Sequence, residues 1–232
     1  MRGALPARYD NSWREAFDSR VRQALVPGMR ILDVGAGRRP TIPRGELPPG
    51  CTYVGLDLSI SELQTAPEGA YDELIAADVV SHINDLEGQF DLIISFQVFE
   101  HVRPFEAALA NLRSYLRPGG RALLHLSGAF SVFGLLNRLL PRRVGVFLLR
   151  TLLGRNPESV FPAHYDRCWY GALQALAPGW ESFEVLPRWL GAGYFRFSRH
   201  IRAIYVLYEE WAIRARHANL APYYLIDARA TS

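Results

Sequence analysis

The 232-residue chain carries, near its start, an apolar run that ends in a glycine turn, ILDVGAGRRP. Gly35 and Gly37 there remove the side chains that would keep a ligand away from backbone N–H groups. Asp57 follows Gly37 by 20 residues, about the spacing at which a carboxylate accepts hydrogen bonds from ribose hydroxyls in nucleotide-binding sheets. Asp78, in ELIAADV, is a further acid placed where an adenine edge can be met. Asp33 has two readings, support for the ligand loop or an acceptor for the turn's own amides. In FDLIISFQVFEHV, His101 lies just past another apolar run. Imidazole titrates in the range useful for taking a hydroxyl proton, so His101 is the candidate base. A purely structural role for it stays open. His164 and Tyr165, in FPAHYDRCW, are second candidates, with capping or core roles equally open.

The elements that must position these groups are legible in the apolar rhythm. Trp13, Phe17, Val21 and Leu25 recur every fourth residue after a capping candidate at Asn11 or Ser12, which predicts an amphipathic helix ending before Pro27-Gly28. Short apolar runs follow at 30–34, 52–56, 73–77, 90–95 and 121–126. Runs without alternation suit strands covered on both faces. Between the last two, Phe105, Leu109, Leu112 and Leu116 share one helix face, with Pro104 near its start and Pro118-Gly119-Gly120 as the stop. Strands alternating with helices predict an α/β fold with a doubly wound, mainly parallel sheet. Beyond 127 the expectation is a helical insertion over 130–160, a helix over 165–176, a strand over 183–186, a helix over 199–216 and a closing antiparallel strand over 223–228. A single domain is expected: an N-terminal helix (1–28), a core (30–127), a helical insertion or acceptor cover (128–180) and C-terminal strands and helix (181–232).

The ordered set LDVGAG, VGLDLS, AADV, FDLIISFQVFEHV and LRPGGRALL resembles the class I S-adenosylmethionine-dependent methyltransferases, in particular the small-molecule branch with an EHV-type motif after strand four. The likeness covers roughly residues 30–127. It implies a Rossmann-like fold and S-adenosyl-L-methionine as cofactor. It implies that Gly35 and Gly37 border the methionine part of that cofactor, with Asp33 supporting the loop. Asp57, with Leu58 beside it, would hold the ribose hydroxyls, Asp78 and Val79 would meet the adenine, and Phe96 and Gln97 would lie near the reacting sulfonium.

One departure stands out. Where members of such families usually show a third glycine and then a helix, this chain has Arg39 and Pro40, followed by Pro43, Pro48 and Pro49. A residue before proline is biased away from the helical region, so the helix after the loop should be short or absent. Pro40 also breaks the GxGxxG fingerprint of a nicotinamide oxidoreductase. Arg38 or Arg39 is the candidate to replace the lost helix amides, by pairing with the cofactor's carboxylate.

Composition narrows the chemistry. All 26 cationic residues are arginine. No reaction resting on a lysine is available, neither a Schiff base nor a phosphate loop ending in GK[ST]. A formal net charge of +3 is too weak to predict a nucleic-acid partner. Two cysteines outside any metal spacing fit a reducing cytoplasm, and the N-terminus lacks the apolar core of a signal peptide. Arginines interrupt the most apolar stretch, 132–153, so no transmembrane segment is expected. That stretch reads as packed helices, as a lid over an apolar acceptor, or as a basic amphipathic surface in peripheral contact with a membrane. Trp13 and Arg14 are placed to close over the cofactor. The expected function is methyl transfer to a small-molecule acceptor, at an oxygen of an apolar or lipid-linked metabolite. The alternative is a methyltransferase-like module that has lost turnover and binds a ligand or partner. Metal ligands are not expected, and the oligomeric state is not encoded in any motif.

Overall fold

A computed structural model describes residues 5–132, 134–135 and 163–232. Seven strands form one sheet: β1 (Arg30–Val34), β2 (Thr52–Asp57), β3 (Glu73–Ala76), β4 (Phe90–Phe96), β5 (Leu116–Ser127), β6 (Ser182–Arg188) and β7 (Tyr223–Arg229). Their order is β3-β2-β1-β4-β5-β7-β6. The first five are parallel neighbours, while β7 runs antiparallel between β5 and β6. The order reverses direction beside β1, which leaves a crevice at the carboxyl ends of β1 and β4.

The strands are buried on both faces, which is why their sequences run apolar without alternating. Leu32, Val34, Ile93 and Leu124 face one core with α3 (Phe105–Tyr115). Ile31, Leu92, Ile94, Leu123 and Leu225 face the other, capped by Phe17 and Val21 of α1 (Glu15–Ala24). Further α-helices are α2 (Ile60–Gln64), α4 (Tyr170–Gln174) and α5 (Arg199–Arg214).

Between β1 and β2 the chain forms only a 3-10 turn, Arg44–Glu46, as the prolines demand. Three expectations need correcting. The helix expected over 165–176 is only α4. Tyr165 and Arg167 adopt φ of 51° and 58°, and the Tyr165 N–H donates to the Glu100 carbonyl at 2.9 Å, so the chain ahead of Tyr170 follows the site loop instead of a helix. Strand β5 begins at Leu116, not Arg121, because Leu116 pairs with Phe90 ahead of an irregularity in the β4 register. Helix α1 starts only at Glu15, so Trp13 lies ahead of it; Ser12 does serve its entry, with Oγ accepting from Arg14 N–H at 3.3 Å and its carbonyl from Glu15 N–H at 2.9 Å. Most of the insertion expected over 130–160, lid or lipid surface, lies outside the described residues. No described helix is long and apolar enough to cross a membrane.

Candidate functional site

The carboxyl ends of β1 and β2 form a polar wall. At β1, Asp33 is fully buried and accepts three hydrogen bonds, from Thr41 N–H at 2.7 Å, Thr41 Oγ1 at 2.8 Å and the Tyr53 hydroxyl at 2.5 Å. Burial pushes its pKa up to about 6, and those donors oppose the shift. Its bonds reach past the glycine turn to the residue after Pro40. Asp33 therefore anchors the loop that replaces the missing helix. Arg14 pins the same loop from the other side, bonding the Thr41 carbonyl at 2.5 Å and Asp18 at 2.7 Å.

The two glycines of the turn do different work. Gly35 and Gly37 both have positive φ, 71° and 51°. A Cβ on Gly35 would sit 2.2 Å from Val98 Cγ2, whereas one on Gly37 would meet nothing nearer than Asp57 Oδ2 at 3.8 Å. Gly35 is thus required by packing against the loop after β4, and Gly37 leaves open space before Asp57. Gly37 N–H donates to Asp57 Oδ2 at 3.1 Å, and Ser59 N–H to Oδ1 at 3.0 Å. Each carboxylate oxygen keeps a lone pair in hand, which suits a vicinal diol. Leu58, next in the chain, is exposed.

Register places Ala76 of β3 beside Asp57, so Asp78 follows at the same rim. Its carboxylate is exposed and accepts from Val80 N–H at 3.0 Å, while Val79 is buried. Arg38 reaches Glu62 of α2 at 3.3 Å, with both side chains largely exposed.

The ends of β4, β5 and β7 form an aromatic wall. Phe96 stacks on His125 with ring centroids 4.9 Å apart. Trp13 lies 5.1 Å from Phe96, 5.5 Å from His125 and 5.2 Å from Tyr223, and the Arg14 guanidinium sits 4.3 Å over the Phe96 ring. Gln97 takes a φ of 60°, rare for a residue with a side chain, with its N–H on the His125 carbonyl at 2.7 Å. The Ser127 hydroxyl donates to Gln97 Oε1 at 2.9 Å, and Gln97 Nε2 meets His125 Nδ1 at 3.1 Å. That chain makes Nδ1 the acceptor and leaves the proton on His125 Nε2.

Among the described residues, Nε2 is buried with no hydrogen-bond partner, and so is Nε of Arg188 nearby. Burial, with the Arg188 and Arg14 charges, lowers the His125 pKa to about 3, so the ring is neutral and a poor base. Two such donors, one of them set among aromatic rings, suit a flat apolar ligand carrying an oxygen.

His101 lies on the 3-10 turn Phe99–His101 and is partly exposed. Glu100 beside it is buried, with Oε2 unpartnered among the described residues and its pKa raised by burial; the His101 charge opposes that rise. The backbone N–H groups of His164 and Tyr165 both donate to the Glu100 carbonyl at 2.9 Å, and the Tyr165 side chain is core. Sequence reasoning missed Glu100, His125 and Arg188. The polar residue inside RALLHLS was a usable signal for His125. Arg188 carried none, since its place depends on an antiparallel pairing with Tyr223. Among the described residues no cluster of His, Cys, Asp or Glu could hold a metal ion.

A family model described as a methyltransferase domain matches residues 7–178. Cyclopropane-fatty-acyl-phospholipid synthase of Escherichia coli K12 is 33% identical over 107 residues, 45% of this chain and 28% of that protein. A ubiquinone biosynthesis O-methyltransferase of Chelativorans is 30% identical over 98 residues, 40% of this chain and 38% of that protein. The matches therefore span well under half the length of these curated relatives. Among solved structures, phosphoethanolamine N-methyltransferase 2 of Haemonchus contortus, in complex with phosphomonomethylethanolamine and S-adenosylhomocysteine, superposes with a TM-score of 0.57 at 14% identity, over 94% of this chain and 53% of that one. The YcgJ protein of Bacillus subtilis gives 0.53 at 16% identity over 94% and 99%. At such identity these two likenesses concern the fold.

Proposed function

Since the chain belongs to the class I methyltransferase-domain family, we propose that it transfers a methyl group from S-adenosyl-L-methionine to an oxygen of a flat, apolar or lipid-linked small molecule. The observation that carries the acceptor side is the buried, unpartnered Nε2–H of His125 inside the ring of Trp13, Phe96 and Tyr223.

In this reading Asp57 takes the ribose hydroxyls with its remaining lone pairs, Gly37 leaves the room for them, and Gly35, Arg38 and Asp33 shape or complete the methionine end. Leu58, Asp78 and Val79 border the adenine, and Phe96 and Gln97 face the reacting centre. S-adenosyl-L-methionine, when bound, supplies an electrophilic methyl group. His125 Nε2–H and Arg188 hold the acceptor oxygen in line, and holding two reactants aligned is worth up to roughly 7–11 kcal/mol of barrier. Trp13 covers the aromatic wall and excludes water. The hydroxyl proton passes to His101. The names of the lipid and ubiquinone relatives are in keeping with an apolar acceptor.

The test is to incubate the full chain with methyl-labelled S-adenosyl-L-methionine and a panel of phenols, quinols and lipid-linked sugars. Label on an acceptor oxygen is the expected result. Cofactor binding with no labelled product from any acceptor overturns transfer and leaves the binding-module reading.

A further inference from the structure

Helix α5 presents an apolar stripe that the methyl-transfer site does not use. Ile201, Ile204, Leu207 and Trp211 fall within about 120° of its circumference at 3.6 residues per turn. With Phe197 just ahead of the helix, they are 44% to 69% exposed. The face beside the stripe is settled, since Tyr205, Glu209 and Ala212 are buried against the fold.

Charge is unevenly placed around that stripe. Residues 196–216 hold five arginines (196, 199, 202, 214, 216) and two acids, a net of +3. The rest of the chain holds 21 arginines and 21 acids. The chain's whole formal charge of +3 therefore belongs to this one segment. Its two acids are already engaged. Glu209 is fully buried and takes Arg8, the Tyr9 hydroxyl and Gly191 N–H, while Glu210 pairs with Arg8. None of the five arginines has an ion pair among the described residues, and all but Arg202 are exposed.

We propose that α5 is a docking surface for an anionic phospholipid bilayer. Its apolar stripe lies in the interface plane and its arginines meet the lipid headgroups. The complementarity is in both chemistry and shape, because a helix apolar on its outer face and cationic at both ends suits a membrane surface better than water. The surface also adjoins the aromatic wall. Tyr194, in the 3-10 turn Gly191–Phe195 that leads toward α5, stacks on Tyr223 at 6.2 Å. A bilayer seated on α5 would bring apolar solutes to the rim where Tyr223 and Trp13 sit.

Vesicle flotation of the full chain tests this without any dependence on methyl transfer. Vesicles of phosphatidylcholine with a quarter phosphatidylglycerol should carry the protein up the gradient, and pure phosphatidylcholine should not. Leu207→Glu, a change at an exposed position, should lower partition at least tenfold with an unchanged circular dichroism spectrum. Arg196→Gln, Arg199→Gln and Arg214→Gln should each lower it about fivefold, less so at high salt. No flotation of the wild type, or equal flotation on neutral vesicles, overturns the proposal. So does a Leu207→Glu change that leaves flotation intact, or one that turns an oligomer into a monomer by light scattering, which would give the stripe to a second copy of the chain.

Discussion

On the β1–β2 side of the crevice, Asp33, Asp57 and Asp78 each accept hydrogen bonds from backbone N–H groups of the loops at the strand ends, whereas the β4–β5–β7 side brings together Trp13, Phe96, His125, Arg188 and Tyr223 and leaves two nitrogens without acceptors among the described residues. The first wall is finished before any ligand arrives. Its loops are fixed by those bonds, so the same carboxylates stay aimed at one rim. The second is shaped by packing between distant segments, and two of its buried donors have no acceptor among the described residues. A wall complete in itself suits a partner that never varies, and a wall with unmet donors selects its partner by what it lacks.

The largest expected effect sits where the two walls touch. In Gly35→Ala the new methyl would overlap Val98 at 2.2 Å in a backbone with φ of 71°. Positive φ and overpacking together should destabilise the chain by about 3 kcal/mol. Gly37→Ala has room and should lose only about 1 kcal/mol. Urea unfolding of the two variants reads the difference, and equal losses would dissolve the distinction between the glycines.

His125→Phe separates the walls next. Acceptor turnover, as kcat/KM, should fall about 100-fold, as when one donor to a reacting oxygen is removed, while cofactor affinity holds. The same variant carries a pH signature. The folded His125 pKa of about 3 lies below the ordinary 6.5, so the unfolded chain protonates first. The stability of the neutral ring is complete above pH 6.5 and is lost as pH falls from there toward 3. Between pH 7.5 and 5 the wild type should therefore lose about 2 kcal/mol that His125→Phe does not. Thermal unfolding at the two pH values checks it, and parallel losses would mean that His125 is not held neutral. Asp33 acts in the opposite sense, since a raised carboxyl pKa favours the folded state at low pH, but it does so in both proteins and cancels.

The sequence was most readable where local chemistry decides. Strand β1 has the bounds its apolar run predicts, and the prolines after Arg39 announce the absent helix. The polar wall was legible from spacing, because parallel strands bring a turn glycine and a strand-end acid 20 residues apart, Gly37 and Asp57, into contact. The Asp33 role was half visible: an acceptor for the loop, but reaching Thr41 and Tyr53, which only the fold brings near. Tyr165 and Arg167 broke an expected helix because long-range bonds to Glu100 outweighed local pattern. The aromatic wall was the least legible. Trp13, His125 and Tyr223 lie about 100 residues apart, and nothing in the spacing joins them.

Calorimetric titration with S-adenosylhomocysteine tests the division of labour most directly. The wild type should bind one equivalent, Asp57→Ala about 100-fold more weakly through the loss of charged hydrogen bonds, and His125→Phe as tightly as the wild type. No binding to the wild type, or a loss in His125→Phe with Asp57→Ala unaffected, would contradict the account.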